Sequence, residues 1–289
     1  MIDRLCIIGV GLIGGSIASS VKLNGLCSTI VGFDCNTYNL KIARDIGVID
    51  EYALSLKDAT DGADFIVIAV PVGATNAIFV ELREFWSTSA VYTDVGSTKV
   101  NVVDGLHSVF GAVPNNFVPG HPIAGLEKSG VQAAVADLYD GKQVILTPLS
   151  STSESAVTRV TEFWNAIGAS VSLMEMSHHD HVLAATSHLP HVVAYALVDM
   201  LGHKDEKEEI FRFAAGGFKD FTRLASSDPR MWLDICLANS AEIQQHIEQF
   251  KVELTAVSDM LEEQDSENLF RMFQCAKKAR QRFLDQFDG

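Results

Sequence analysis

The most constraining feature lies within the first sixteen residues. The apolar run Leu5-Cys6-Ile7-Ile8 ends on Gly9-Val10-Gly11-Leu12-Ile13-Gly14, with Gly15-Ser16 following. Glycines spaced this way are a weak signal alone, but between a buried strand and an opening helix they make a specific demand. Gly9 permits the tight turn, Gly11 lets backbone approach a pyrophosphate, and Gly14 lets helix and strand pack closely. The helix start, at Leu12 and Ile13, then offers unpaired N–H groups and a partial positive charge to the phosphates. Asp34 follows the next apolar run, Ile30–Phe33, twenty residues after Gly14. A carboxylate there accepts from ribose hydroxyls and repels a 2′-phosphate, so the expected cofactor is NAD.

The first half goes on alternating buried strands with helices. Leu5–Ile8, Ile30–Phe33, Phe65–Val70, Val91–Thr93 and Val144–Leu146 read as strands; Ile13–Leu23, Tyr38–Ile46 and Thr75–Phe85 read as helices. That alternation predicts an α/β fold, with an N-terminal Rossmann-type parallel sheet. Val70-Pro71 and Asp94-Val95-Gly96-Ser97 stand at the carboxyl ends of strands, the edge where ligands gather. Leu149–Ser155, rich in Ser and Thr, is the expected boundary, dividing an NAD-binding domain (1–150) from a helical substrate and dimerisation domain (151–289). Beyond it only Ser170–Leu173 reads as a strand. Asp228-Pro229 reads as a helix cap with proline at the first helical position. Ile243, Ile247, Phe250, Leu254, Val257 and Leu261, then Leu269, Met272, Ala276, Ala279 and Phe283, form seams that pack against another helix, within the subunit or across a homodimer.

Bulk properties exclude several classes. A net charge of −15 over 289 residues argues against a nucleic-acid partner. Cys6, Cys27, Cys35, Cys236 and Cys275 are odd in number and form no close pair, as expected of reduced thiols in a cytoplasmic protein. The apolar stretch from Phe65 to Val80 is broken by Pro71, Gly73 and Asn76, so no membrane partner is expected, and the start of the chain lacks a signal-peptide layout.

Three clusters carry candidate chemistry. In Pro119-Gly120-His121-Pro122-Ile123-Ala124-Gly125 a histidine sits in a Pro/Gly loop, suited to deprotonating a hydroxyl at neutral pH. Ser97 could orient its ring or cap a helix. Ser187-His188-Leu189-Pro190-His191, with His178, His179 and His181 upstream, invites a metal hypothesis, but Pro190 interrupts the spacing and hydride transfer needs no metal; none is expected. In Gly216-Gly217-Phe218-Lys219-Asp220-Phe221-Thr222-Arg223 the glycines permit close approach, and Arg223 can pair with a carboxylate or simply form a surface ion pair.

Taken in order, Gly9–Ser16, Asp94-Val95-Gly96-Ser97-Thr98-Lys99, His121–Gly125, Ser187–His191, Gly217–Arg223 and Asp228-Pro229-Arg230-Met231-Trp232 resemble the prephenate and arogenate dehydrogenases over about residues 5 to 240. The departure at Thr98, where a small apolar residue is frequent, is mild. The resemblance implies NAD-dependent oxidative decarboxylation of prephenate to 4-hydroxyphenylpyruvate, or of arogenate to tyrosine, in tyrosine biosynthesis. It implies that His121 takes the ring-hydroxyl proton and that Ser97 positions His121 and the nicotinamide. Arg223 would bind a substrate carboxylate, with His191, Ser187, Gly216 and Trp232 around it. It also implies a helical dimerisation domain. The rivals are a β-hydroxyacid-type dehydrogenase, expected to rely on a lysine in its helical half, and a non-catalytic NAD-sensing module.

Overall fold

The computed structural model describes residues 2–126, 128–204 and 209–286. Six parallel strands form the main sheet: β1 (Ile2–Ile8), β2 (Cys27–Phe33), β3 (Glu51–Tyr52), β4 (Phe65–Ile68), β5 (Val91–Asp94) and β6 (Phe117–Val118). Between them run α1 (Leu12–Leu23), α2 (Thr37–Asp45), α3 (Leu56–Thr60), α4 (Thr75–Leu82) and α5 (Val100–Phe110). The spatial order β3-β2-β1-β4-β5-β6 reverses direction between β1 and β4, the Rossmann arrangement.

Both faces of this sheet are buried, which is why its strands read as continuous apolar runs. Leu5, Ile7, Phe65 and Val67 point to one face, against Ile17, Val21 and Leu40. Their alternates Cys6, Ile8, Ile66 and Ile68 point to the other, against Leu56, Phe79, Leu82 and Leu106. Two observed differences are local. β4 ends at Ile68 rather than Val70, because the chain turns toward Pro71, which has no N–H for a ladder. The helix expected to reach Phe85 is α-helical only to Leu82 and tightens into a 3-10 turn over Arg83–Phe85.

A smaller sheet follows, β7 (Gly120–Pro122), β8 (Gln143–Leu146) and β9 (Ser170–Leu173), with α6 (Glu154–Ala166) between the last two. β7 pairs antiparallel and β9 parallel with β8. Phe163 of α6 stacks on Phe65 of β4, ring centroids 4.6 Å apart, so sheet packing continues past residue 150. From there the chain is helical: α7 (Met176–Leu183), a π turn at Ala184–His188, α8 (Leu189–Lys204), α9 (Glu209–Arg212), α10 (Gly216–Thr222) and α11 (Pro229–Ala238). The π turn falls just before Pro190, whose missing N–H breaks the regular ladder. Asp228 caps α11 as expected, its carboxylate accepting from the Met231 N–H at 2.9 Å.

Two compact units result, residues 1–240 and 241–289. The second consists of most of α12 (Ser240–Glu262) and α13 (Ser266–Asp285). Leu254, Leu261, Phe270, Phe273 and Phe283 on these helices are exposed. Among the described residues no helix is long and apolar enough to cross a membrane.

Candidate active site

The glycine turn has the geometry its spacing demands. Gly9 has φ +96°, and a Cβ there would lie 2.4 Å from the Ala69 carbonyl oxygen. A Cβ on Gly14 would stand 2.1 Å from the Gly9 carbonyl oxygen. Around Gly11, by contrast, a Cβ would meet nothing within 4 Å. Gly11 also starts α1 without any side-chain cap, leaving its first N–H groups open to a ligand. The Asp34 carboxylate accepts from the Val10 N–H at 2.9 Å and the Asn36 N–H at 2.8 Å, so it braces the turn as well as facing it. Asn39, not anticipated, donates to the Val10 carbonyl at 2.6 Å. Val70 and Pro71 lead into a turn at Val72–Ala74 on which α11 rests; a Cβ on Gly73 would meet the Asp234 carboxylate at 2.6 Å. Gly14→Ala, blocked by backbone rather than by a movable side chain, should cost about 1–3 kcal/mol of stability and weaken dinucleotide binding. Thermal unfolding with and without cofactor will measure both effects.

His121 stands on the short strand β7, not in the loop expected from its Pro/Gly neighbours. The backbone around it is fixed by a buried ion pair. Lys99, fully buried, bonds the Asp94 carboxylate and donates to the Gly120 carbonyl at 2.7 Å. Asp94 also accepts from the Gly96 N–H at 2.8 Å and the Gly120 N–H at 3.1 Å. Ser97 lies half-buried in the turn between Gly96 and Thr98, just past the carboxyl end of β5.

Two residues that sequence reasoning did not assign to this centre, His179 and Asp180, complete it. His121 Nδ1 shares a 2.9 Å hydrogen bond with His179 Nε2. His179 Nδ1 lies 2.7 Å from Asp180 Oδ1. Asp180 also accepts the N–H groups of Lys99 at 2.8 Å and Val100 at 2.9 Å, capping α5. Burial pushes the Asp180 carboxyl up, but the His179 bond and the two backbone N–H bonds outweigh it and hold the group below the usual carboxylate range. His121 is held well below 6.5, first by burial and then by the neighbouring His179, Lys99 and His188. The ring is therefore neutral at neutral pH and able to accept a proton.

The helical side supplies a second grouping. The His191 ring stacks on Trp232 with centroids 3.7 Å apart and planes 21° from parallel. Its Nδ1 bonds the Ser187 carbonyl at 2.9 Å, an i−4 contact made across the π turn. Burial, then the Arg223 charge, lowers the His191 pKa, which brings Arg223 into this group electrostatically. Gly216 and Arg223 flank α10, one opening it and the other following it. The buried Trp232 indole nitrogen has no partner among the described residues. His188, its pKa pushed down to about 4 mainly by burial, contacts Asn239, which in turn donates to the Asp180 carbonyl at 2.8 Å. His121 is thus joined through hydrogen bonds, by way of His179, Asp180 and Asn239, to His188 on the helical side.

A reversing parallel sheet, an uncapped glycine turn and a half-buried neutral histidine past the carboxyl ends of its strands define the class, a dinucleotide-dependent dehydrogenase. Comparison narrows the class. Residues 17–173 match the family model "Prephenate dehydrogenase, nucleotide-binding domain" and residues 175–275 match "Prephenate dehydrogenase, dimerization domain". The chain belongs to the prephenate dehydrogenase family. It is 36% identical to the cyclohexadienyl dehydrogenase of Zymomonas mobilis over 96% of this chain and 94% of that one. It is 39% identical to the prephenate dehydrogenase of Bacillus subtilis, over 97% of this chain and 76% of the relative. The solved structure of prephenate dehydrogenase from Aquifex aeolicus, in complex with hydroxyphenyl propionate and NAD+, is similar with a TM-score of 0.91 and 38% identity, over 98% of this chain and 99% of that one.

Proposed function

We propose that this chain catalyses the NAD-dependent oxidative decarboxylation of prephenate to 4-hydroxyphenylpyruvate, or of arogenate to tyrosine. The observation that carries the reading is His121, neutral and half-buried just past the carboxyl end of β6, in a fold that also carries an open glycine turn. The free space around Gly11 and the bare start of α1 fit a dinucleotide pyrophosphate. Gly9, Gly11, Leu12, Ile13 and Gly14 would hold it, Asp34 the adenosine ribose, and Val70, Pro71 and Ser97 the nicotinamide end. NAD, when bound, accepts the hydride from the substrate ring. His121 takes the ring-hydroxyl proton on Nε2, and Ser97 orients the reacting groups. Loss of carbon dioxide is driven by aromatisation, so the protein's task is to orient the ring and accept the proton.

Arg223 binds a substrate carboxylate, in a pocket shared with His191, Ser187, Gly216 and Trp232. Arg223→Ala should raise KM for the substrate by about tenfold to a hundredfold, the worth of a charged hydrogen-bonded pair. Steady-state kinetics in which KM for NAD moves as much as KM for the acid would argue against that role. Division of labour follows the helical change of character: residues 1–150 carry the cofactor, and 151–289 carry substrate contacts and the homodimer. The exposed apolar residues of α12 and α13 support a second copy as their cover. A cytoplasmic location is supported by the scattered cysteines, none of them in a disulfide.

The deciding experiment is NADH formation by purified protein supplied in turn with prephenate and arogenate. Turnover on either establishes the reaction, and the ratio of kcat/KM values names the substrate. NAD binding without turnover of either acid would overturn it.

A further inference from the structure

We infer that His179 and Asp180 are positioning residues for His121, fixing its neutral ring with the proton on Nδ1 and the lone pair on Nε2. The inference rests on the proposed role of His121 as the base and adds what makes it one. Asp180 receives two backbone N–H bonds from the start of α5, and these favour its anion against the burial that opposes it, so the carboxylate can only accept. His179, fully buried, must therefore present Nδ1–H to Asp180 Oδ1 at 2.7 Å. A neutral His179 is left with a lone pair on Nε2. That nitrogen lies 2.9 Å from His121 Nδ1, so His121 must donate there. Each ring in the chain has one allowed tautomer, and the last leaves Nε2 of His121 as an acceptor.

The energetic consequence comes when the proton arrives. Proton transfer from the substrate hydroxyl to His121 Nε2 breaks the O–H bond, forms an N–H bond and leaves the ring cationic, with its Nδ1–H still on His179. Burial opposes that charge first, and any positive charge on His179, Lys99 or His188 opposes it further. The titratable groups around His121 are His179 and, behind it, Asp180 from α7, His188 from the π turn and Lys99 ahead of α5, and Lys99 is already paired with Asp94. Asp180, acting through the polarised His179 ring, is the negative group left to stabilise the imidazolium. The logic is that of an acid orienting a histidine base, extended by one ring.

The first test needs no substrate. Ring-nitrogen NMR of the histidine-labelled full chain, with His121 assigned by comparison with His121→Asn, should show the Nδ1–H form. The Nε2–H form would overturn the inference, whatever becomes of the proposed reaction. The second test is kinetic. His179→Leu removes the acceptor and should lower kcat by about a hundredfold, with KM for both substrates moving by less than about threefold. His179→Gln restores an acceptor for Nδ1–H without a relayed charge and should recover part of that loss. Asp180→Asn removes the negative charge and should move the acidic limb of the kcat profile to lower pH. Because Asp180 also caps α5, its variant is read only alongside the two at 179. A His179→Leu enzyme with near-parental kcat, or equal impairment of the Leu and Gln variants, would overturn the positioning role.

Discussion

Replacing His121 with asparagine is expected to lower kcat by about a thousandfold, within the range that a positioned base contributes. KM for NAD should stay within about threefold, since the side chain does not build the glycine turn. The pH profile adds a sharper signature. His121 must be uncharged to take a proton, and burial, His179, Lys99 and His188 hold its pKa well below 6.5. Activity in the parent enzyme should therefore persist as pH falls through the ordinary histidine range and decline only below it. In the asparagine variant the residual activity should lose that acidic limb, because the group that titrates is gone. A parental profile with its midpoint at the ordinary histidine value would mean that the ring is more solvated in the working enzyme than its burial implies.

Lys99→Met should be the most destabilising single change near the site, by about 3–5 kcal/mol. Methionine fills much of the same volume, so the cost comes from what remains. Asp94 would be left 2% exposed with its charge unpaired, and the Gly120 carbonyl would lose its Lys99 donor. For a chain of this size the melting temperature should fall by roughly 10 °C. Adding Asp94→Asn should recover part of the loss, because the amide oxygen can still accept one of the N–H groups of Gly96 and Gly120 while no charge is buried. Thermal unfolding of the two single variants and the double variant gives the coupling directly; simple additivity would show that the pair is not the source of the effect.

Much of the fold was legible because its signals are local. Continuous apolar runs marked the buried strands, the glycine spacing marked the first turn, and Asp228-Pro229 marked the start of α11. The helical seams in 243–283 likewise appear as α12 and α13. What escaped was short or distant. β3, β6 and β7 have two or three residues, too few for any periodicity to register. That is why His121 read as a loop residue. Lys99 drew no reading of its own, because nothing near it in the chain announces that Asp94 and Gly120 enclose it. His179 and Asp180 lie 58 and 81 residues from the partners they hold, His121 and Lys99. A histidine-aspartate pair just inside a helix start was visible, but its target on another element was not.

Asp180 has one more consequence, for how the chain can be cut. The family match divides at residue 174, which invites expression of the nucleotide-binding part as a free-standing piece. Yet the carboxylate that closes the amino end of α5 arrives from residue 180, on the far side of that division. A fragment ending at 173 would leave the N–H groups of Lys99 and Val100 without their acceptor and would strip His121 of its neighbouring ring. Chimeras that exchange halves between relatives at this junction would break the same bonds unless the donor half brings an acid to the equivalent place. The seam in the sequence is therefore not a seam in the molecule.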